Sequence, residues 1–508
     1  MKPDLTVVPV HLRDAVEAWW ERFVAAGAPP EMQRQVLAAG AARVCAVSDF
    51  AADASVRTAA KHDEAFFSRV SAAATAGEIA ANVEAAVAGA ADKEVLARAL
   101  RGVRHREMLR IAWRDLGGFA TLDETLAELS ALADACIDTT LARLHAWHAA
   151  RYGHVRDANG RPQSLVVLGF GKLGAGELNF SSDVDLVFVY PEKGTSDGVR
   201  VLDSDEYFAR LGQRLIDVLD RNTADGFVFR VDMRLRPFGT SGPLAMSFSA
   251  MENYYQLHGR DWERYALIKA RPVAGDRAAG ERLLRALRPF VFRRYLDFTA
   301  FESLRDMKAM IAHEVAREGL ENNIKLGRGG IREIEFIGQV FQLIRGGREA
   351  PLRQRAIRPV LAHLAAAGYL NDDEVVALDS AYEFLRRAEN RLQMAADRQT
   401  HELPDEARGQ LRLAWSMGFD DWPAFQTVLE RHRTAVRTVF DAVFAVAEPA
   451  PAGGDAAAAA WHQADTDPAA ALMALGFSAD VVPVLRAFAD APTIQNLSAR
   501  GRRRLDQL

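Results

Sequence analysis

A chain of 508 residues has room for two to four domains and a large core. Its net formal charge of −5 and 8% aromatic content exclude a global basic field or a base-stacking surface, so no nucleic-acid partner is expected. The start, MKPDLTVVPV, does not read as a secretory signal and no apolar run reaches membrane-spanning length, so a soluble, cytoplasmic protein with no membrane partner is expected.

Residues 1–152 read as a helical region. Apolar residues recur at three- and four-residue spacing through EAWWERFVAAG, MQRQVLAAGAARVCAVSDFAA and ADKEVLARALRGVRHREMLRIAWRDL. Trp19 and Trp20 are assigned to the core, and Cys45 and Cys136 to buried thiols of a reducing compartment. Gly117-Gly118 ends one helix. Thr121 and Glu124 form a capping box that opens the next, which runs to about Tyr152.

Residues 153–275 hold the convincing strands, after a loop over 153–165. Leu165 to Leu168 is a short buried strand, followed by Gly169, Gly171, Gly174 and Gly176. The next strand carries Asp183 and Asp185 on one face and Val184, Leu186 and Phe188 on the other. A helix is capped near Asp203 or Ser204. FVFRVDMRLRP reads as a further strand, placing Asp232 on one face with Arg230, Arg234 and Arg236. Ser249 is expected to cap a helix carrying Tyr254 and Tyr255, and WERYALIKARPVAGD to give a short strand or helix ending at Pro272.

Residues 276–446 return to long amphipathic helices and read as a helical bundle. Residues 447–508 read as a low-complexity linker, 447–459, and the start of a further region ending in the solvated basic run 498–504. The expected fold class is therefore α+β and mostly helical, with a small mixed sheet between two helical regions.

Four groups carry candidate chemistry. Asp183 and Asp185, on one face of a strand, repel each other, and a divalent cation is the simplest partner that keeps both ionised; Asp232 is a further candidate carboxylate. Backbone N–H groups around Gly171, with Ser181 or Ser182, can cradle a phosphate; Lys172 either adds a point charge there or is merely solvated. Arg230, Arg234 and Arg236 bind phosphate, balance the aspartates or line an exposed strand. Lys325, Arg328 and the glycines of KLGRGGIREIEF lead into a helix with Ile334, Ile337, Phe341 and Ile344 as its buried stripe. That loop is either a second anion site, or a turn beside an Arg332–Glu335 ion pair.

The glycine turn, Asp-x-Asp strand and later Asp232 resemble the nucleotidyltransferase superfamily that includes DNA polymerase beta. GKLGAGELNFSSDVDLVFVY, FRVDMRLRPFG and KLGRGGIREIEF, in this order, resemble the bacterial glutamine synthetase adenylyltransferase/adenylyl-removing enzymes over about residues 100–445. Family members carry two nucleotidyltransferase domains. Glu177-Leu178-Asn179 matches the N-terminal, adenylyl-removing copy, where the C-terminal copy has Glu-Leu-Gly.

The resemblance implies that inorganic phosphate attacks the adenylyl group on a tyrosine of glutamine synthetase, releasing ADP. It implies one or two Mg²⁺ ions on Asp183, Asp185 and Asp232, and phosphate binding by the arginines. It also implies control by glutamine and the nitrogen-signalling PII protein. Adenylyl transfer from ATP, and a non-catalytic regulatory module, are the alternatives.

Overall fold

The computed structural model describes residues 1–292 and 320–445. Residues 293–319 of the expected helical bundle, the linker and the basic run near the end lie outside the described residues. Met1–Phe440 clusters as one compact unit and Asp441–Leu508 as a second.

In the first 152 residues the apolar periodicity becomes a helical scaffold that closes with two long helices, Lys93–Gly117 and Leu122–Tyr152. Gly118 takes the left-handed conformation (φ 79°) and ends the first. The Thr121 side chain accepts from the Glu124 N–H, and the Glu124 carboxylate accepts from the Thr121 N–H, so the predicted capping box opens the second. Trp19, Trp20, Cys45 and Cys136 are all buried, and both cysteines are free thiols.

The sheet has five strands: β1 (Val166–Gly169), β2 (Val184–Tyr190), β3 (Val231–Asp232), β4 (Ala245–Ser247) and β5 (Arg271–Gly275). Its order is β3-β2-β1-β5, and β4 also pairs with β2. β1 runs antiparallel to β2 and β5, whereas β3 and β4 run parallel to β2. The free edge of β2 is thus shared, β3 taking its start and β4 its end. All of β1 and every β2 residue except Asp185 is buried, as in a sheet covered on both faces. The helix Ser204–Asp220 begins where expected and contributes buried Tyr207, Phe208, Leu211 and Leu215; its Gly212 leaves room for the Phe188 ring.

Three local expectations are corrected. FVFRVDMRLRP is not a long strand, because the chain turns after Asp232. The Asp232 side chain accepts from the Arg234 N–H at 2.8 Å, and this local bond competes with the ladder. The cap before Tyr254 and Tyr255 is Ser247 rather than Ser249: β4 runs straight into the helix Phe248–Leu257, so the last strand residue is free to accept from the Ala250 N–H. WERYALIKARPVAGD contains both a helix, Asp261–Ile268, and strand β5, which continues past Pro272 to Gly275.

The helices after residue 320 interlock with the earlier regions. In the helix Asp372–Met394, Arg391 pairs with Asp115 at 3.2 Å and the Met394 carbonyl accepts from Ser48 Oγ at 2.5 Å. Arg386, Glu389, Asn390 and Gln393 of the same helix are completely buried. Buried polar groups at this density need partners, and the partners lie under the glycine turn. Among the described residues no helix is long and apolar enough to cross a membrane.

Candidate active site at the β2–β3 edge

The site begins where β1 turns into the five-residue helix Gly171–Ala175. Gly171 has φ 54°, and a Cβ there would lie 2.6 Å from Asp185 Oδ2. A Cβ on Gly174 would lie 2.0 Å from the Lys269 carbonyl. Both glycines therefore answer to close backbone approach, the first to the candidate carboxylate itself.

β2 and β3 then bring the acids together. Their parallel register sets Val184 opposite Val231 and Asp185 opposite Asp232. Residues directly opposite on neighbouring strands share a face. Asp183 stands one residue before β2 and its charge also acts on Asp185.

The three acids are treated unequally. Asp183 Oδ1 accepts from Arg230 Nε at 2.9 Å. Asp232 accepts from the Arg234 N–H and, at 2.8 Å and 2.5 Å, from the Arg234 guanidinium. Burial alone would raise the Asp232 pKa, but these hydrogen bonds outweigh it and hold the carboxyl below its ordinary value. The Asp185 carboxyl has no hydrogen bond or ion pair among the described residues. Burial, and then the charge of Asp232, push it up to about 6.

These residues fit a magnesium ion by donor chemistry: three hard carboxylates, one of them half-buried, unpartnered among the described residues and short of positive charge. They do not form a ready-made cage, and no group of three or more His, Cys, Asp or Glu is gathered to ligating geometry among the described residues. Asp183 and Asp232 turn their oxygens to arginines instead.

The remaining predicted residues divide. Arg230 stays at the site, binding Ser181 Oγ at 3.0 Å, and the Ser181 carbonyl, as well as Asp183. Arg234 stays there with a side chain 77% exposed. Arg236 does not line a strand face with them. Its guanidinium is held by the carbonyls of Met233, Thr240 and Gly242, so it clamps the loop after β3.

The Ser181 N–H donates to Gln393 Oε1 at 2.9 Å and the Ser182 N–H to the Asn179 carbonyl at 3.4 Å, so both backbone groups serve the turn. Lys172 is neither solvated nor open to a phosphate. Its amine donates to both Glu389 oxygens, at 2.8 Å and 2.9 Å. Burial pulls its pKa down to about 7 against the attraction of Glu389.

The Lys325 loop does reach the site. The positive charge of Lys325 acts on both Asp185 and Lys172, and its own amine has no ion pair or hydrogen bond among the described residues. Arg328 is exposed on the same loop. The following helix, Ile331–Arg345, offers no open N-terminus. The N–H groups of Ile331, Arg332 and Glu333 already donate to the carbonyls of Ile324, Lys325 and Gly330. Ile334 and Ile337 are fully buried, whereas Phe341 and Ile344 are half-buried. Glu335 is held by Lys269 at 2.8 Å.

Residues that sequence reasoning missed lie on the helix Asp372–Met394. Arg386 donates to the Glu177 carbonyl and to Asn179 Oδ1, both at 2.5 Å. Asn390 Oδ1 takes the Phe180 N–H at 3.0 Å. The signal was present: Arg386, Glu389, Asn390 and Gln393 fall on one helical stripe with Tyr382, where an amphipathic helix should bury apolar residues.

The mixed sheet, the glycine turn and the paired aspartates fit a nucleotidyltransferase domain. A glutamate-ammonia ligase adenylyltransferase family model matches residues 39–286, and a GlnD PII-uridylyltransferase model matches residues 305–444. The bifunctional glutamine synthetase adenylyltransferase/adenylyl-removing enzyme of Thioalkalivibrio sulfidiphilus is 55% identical over 453 residues, 85% of this chain and 46% of that protein. Proteins of the same name from Nitrosococcus oceani and Pseudomonas aeruginosa are 54% and 48% identical. Those matches cover 80% and 91% of this chain, and 43% and 49% of the relatives. Over most of its length the chain is similar to the proteins of this name, and it spans about half the length of the curated relatives it matches.

Proposed function

We propose that this chain is the N-terminal, adenylyl-removing half of such an enzyme and deadenylylates glutamine synthetase by phosphorolysis. The observation that carries the reading is the unpartnered Asp185 carboxyl in register with Asp232 and beside Asp183. Glu177-Leu178-Asn179 supports the adenylyl-removing assignment by its resemblance to the N-terminal copy. In the reaction a phosphate oxygen bonds to the adenylyl phosphorus, the bond from phosphorus to the tyrosine oxygen breaks, and that oxygen takes up a proton. The products are ADP and unmodified synthetase.

Asp183, Asp185 and Asp232 would hold Mg²⁺, which supplies positive charge to the phosphate oxygens. Arg230 and Arg234 hold Asp183 and Asp232 at rest and are placed to take substrate oxygens when those carboxylates turn to a cation. Lys325, whose charge acts on Asp185, would receive the attacking phosphate together with Arg328 of the same loop. The family also implies control by glutamine and PII, and the match to a PII-uridylyltransferase model over 305–444 agrees with a regulated enzyme of this kind.

The test is incubation with adenylylated synthetase, inorganic phosphate and Mg²⁺. Phosphate-dependent ADP release is expected. Incorporation of AMP from ATP into unmodified synthetase, without phosphate-dependent ADP release, would assign the chain to adenylyl transfer instead. Neither activity would make it a regulatory module.

A further inference from the structure

One set of buried charges outside the aspartate edge lies beneath the glycine turn, and the proposed reaction gives it no role. Its centre is Glu389, 0% exposed. Lys172, the second residue of the glycine helix, donates to both of its oxygens. Arg386 Nε lies 3.3 Å from Oε2, and His401 Nδ1 lies 2.8 Å from Oε1.

His401 leads on to the other anion-facing element. Its carbonyl accepts from the Ile324 N–H at 2.8 Å, one residue before Lys325. Next to it Glu402 forms an antiparallel bridge with Asn323 and accepts from Asn323 Nδ2 at 2.6 Å. One carboxylate thus holds the glycine turn through Lys172 and touches His401, whose backbone carbonyl binds the Lys325 loop. Those two segments lie about 150 residues apart in the chain, and each carries a group whose charge or backbone reaches Asp185.

We propose that Glu389 is a positioning residue that sets the glycine turn and the Lys325 loop at the separation needed to receive the attacking phosphate. The inference rests on the phosphorolytic reading and adds a specific residue to it. A buried ion pair that served packing alone would be replaceable without kinetic consequence beyond the loss of folded protein. A positioning group acts on one substrate selectively, since small misplacements of a bound reactant are expensive in rate.

The experiment compares the full chain with Glu389→Gln and His401→Gln, measuring kcat and the KM for inorganic phosphate and for adenylylated synthetase. Both variants should raise the phosphate KM by about tenfold or more, leaving the KM for the synthetase unchanged. An unchanged phosphate KM with a reduced kcat would mean lost active protein only, and would overturn the proposal. His401 is partly exposed, so its variant decides the matter if Glu389→Gln fails to fold.

Calorimetric titration with inorganic phosphate in Mg²⁺ separates this inference from the reaction itself. If the parent chain shows no phosphate-dependent ADP release, the phosphorolytic reading fails. Weaker phosphate binding by the variants still supports positioning. Binding equal to the parent's, or no binding by the parent, overturns it.

Discussion

Two charged regions meet at the glycine turn, and they are built on opposite principles. Beneath it, Lys172, Glu389, Arg386, Lys269 and Glu335 are nearly all dry, and each has an opposite charge in contact. Burial raises the Glu335 pKa, but Lys269 and then Lys172 outweigh it and hold the carboxyl down at about 2. At the aspartate edge three acids share two half-buried or exposed arginines, and Asp185 has no cation in contact among the described residues. The first region is compensated and holds backbone in place; the second is left short of positive charge. That contrast locates chemistry better than burial or charge count taken separately, because perturbed acids also occur in structural networks.

The comparison breaks most severely if the aspartate edge is inert. Asp183→Asn and Asp185→Asn should each lower phosphorolysis by about 10²–10³-fold or more, by analogy with the removal of one charge-stabilising group from an active site. Far-UV circular dichroism should match the parent's. Turnover within a few-fold of the parent's would remove the site assignment.

The compensated region should answer in the other currency, stability. Arg386→Ala strips the Glu177 carbonyl and Asn179 of their donor and leaves Glu389 with less positive charge. Breaking a buried network from one side typically costs about 3–5 kcal/mol. Denaturant unfolding of the unit that contains it should show a loss of that order. A change below about 1 kcal/mol would mean that the network is dispensable.

Much of this was legible in the sequence, and the failures have physical causes. Thr121 with Glu124, Gly118, and the run Val184–Tyr190 declare themselves locally, through capping, left-handed backbone and alternation. By resemblance Asp232 joined Asp183 and Asp185, which the same local reading had set on one face. That reading overextended β3, because an Asp side chain that bonds two residues ahead looks in sequence like any polar strand position. It missed β4, whose three residues pair only because the edge of β2 is vacant beyond β3.

Lys172 illustrates the deeper limit. Nothing near residue 172 announces a partner at 389, and the pairing exists only in the folded chain. Asn179, part of the motif that resembles the adenylyl-removing copy, is likewise buried and spent on Arg386. The residue on which that resemblance turns is therefore held by the Asp372–Met394 helix.

A gentler test uses pH. The Asp185 pKa is raised from 3.8 to about 6, so the folded state holds that proton more tightly than the unfolded state. The associated stability is fully present below about pH 4 and is lost as pH rises through about 6. In Mg²⁺-free buffer Asp185→Asn should therefore be more stable than the parent at pH 8, by about 2 kcal/mol after allowing for solvent at this half-buried carboxyl. The difference should vanish near pH 4. Mg²⁺ should narrow it at pH 8 by stabilising only the parent. Equal stability at pH 8 without Mg²⁺ would show that Asp185 is not short of positive charge.

The smallest effect tests whether the Lys325 loop belongs to the aspartate edge. Lys325 lowers the Asp185 pKa, whereas Asp232 and Asp183 raise it. Lys325→Met should therefore move the Asp185 titration to higher pH, and Asp232→Asn should move it to lower pH, the latter by more because Asp232 acts more strongly. Carboxylate carbon shifts in the Mg²⁺-free chain would report both directions. Salt should shrink the Lys325 effect only modestly, since charges acting through a partly buried site are screened less than surface pairs. If Lys325→Met leaves the Asp185 titration where it was while Asp232→Asn moves it, the loop stands too far off to serve the phosphate. The site would then consist of the sheet edge and its two arginines.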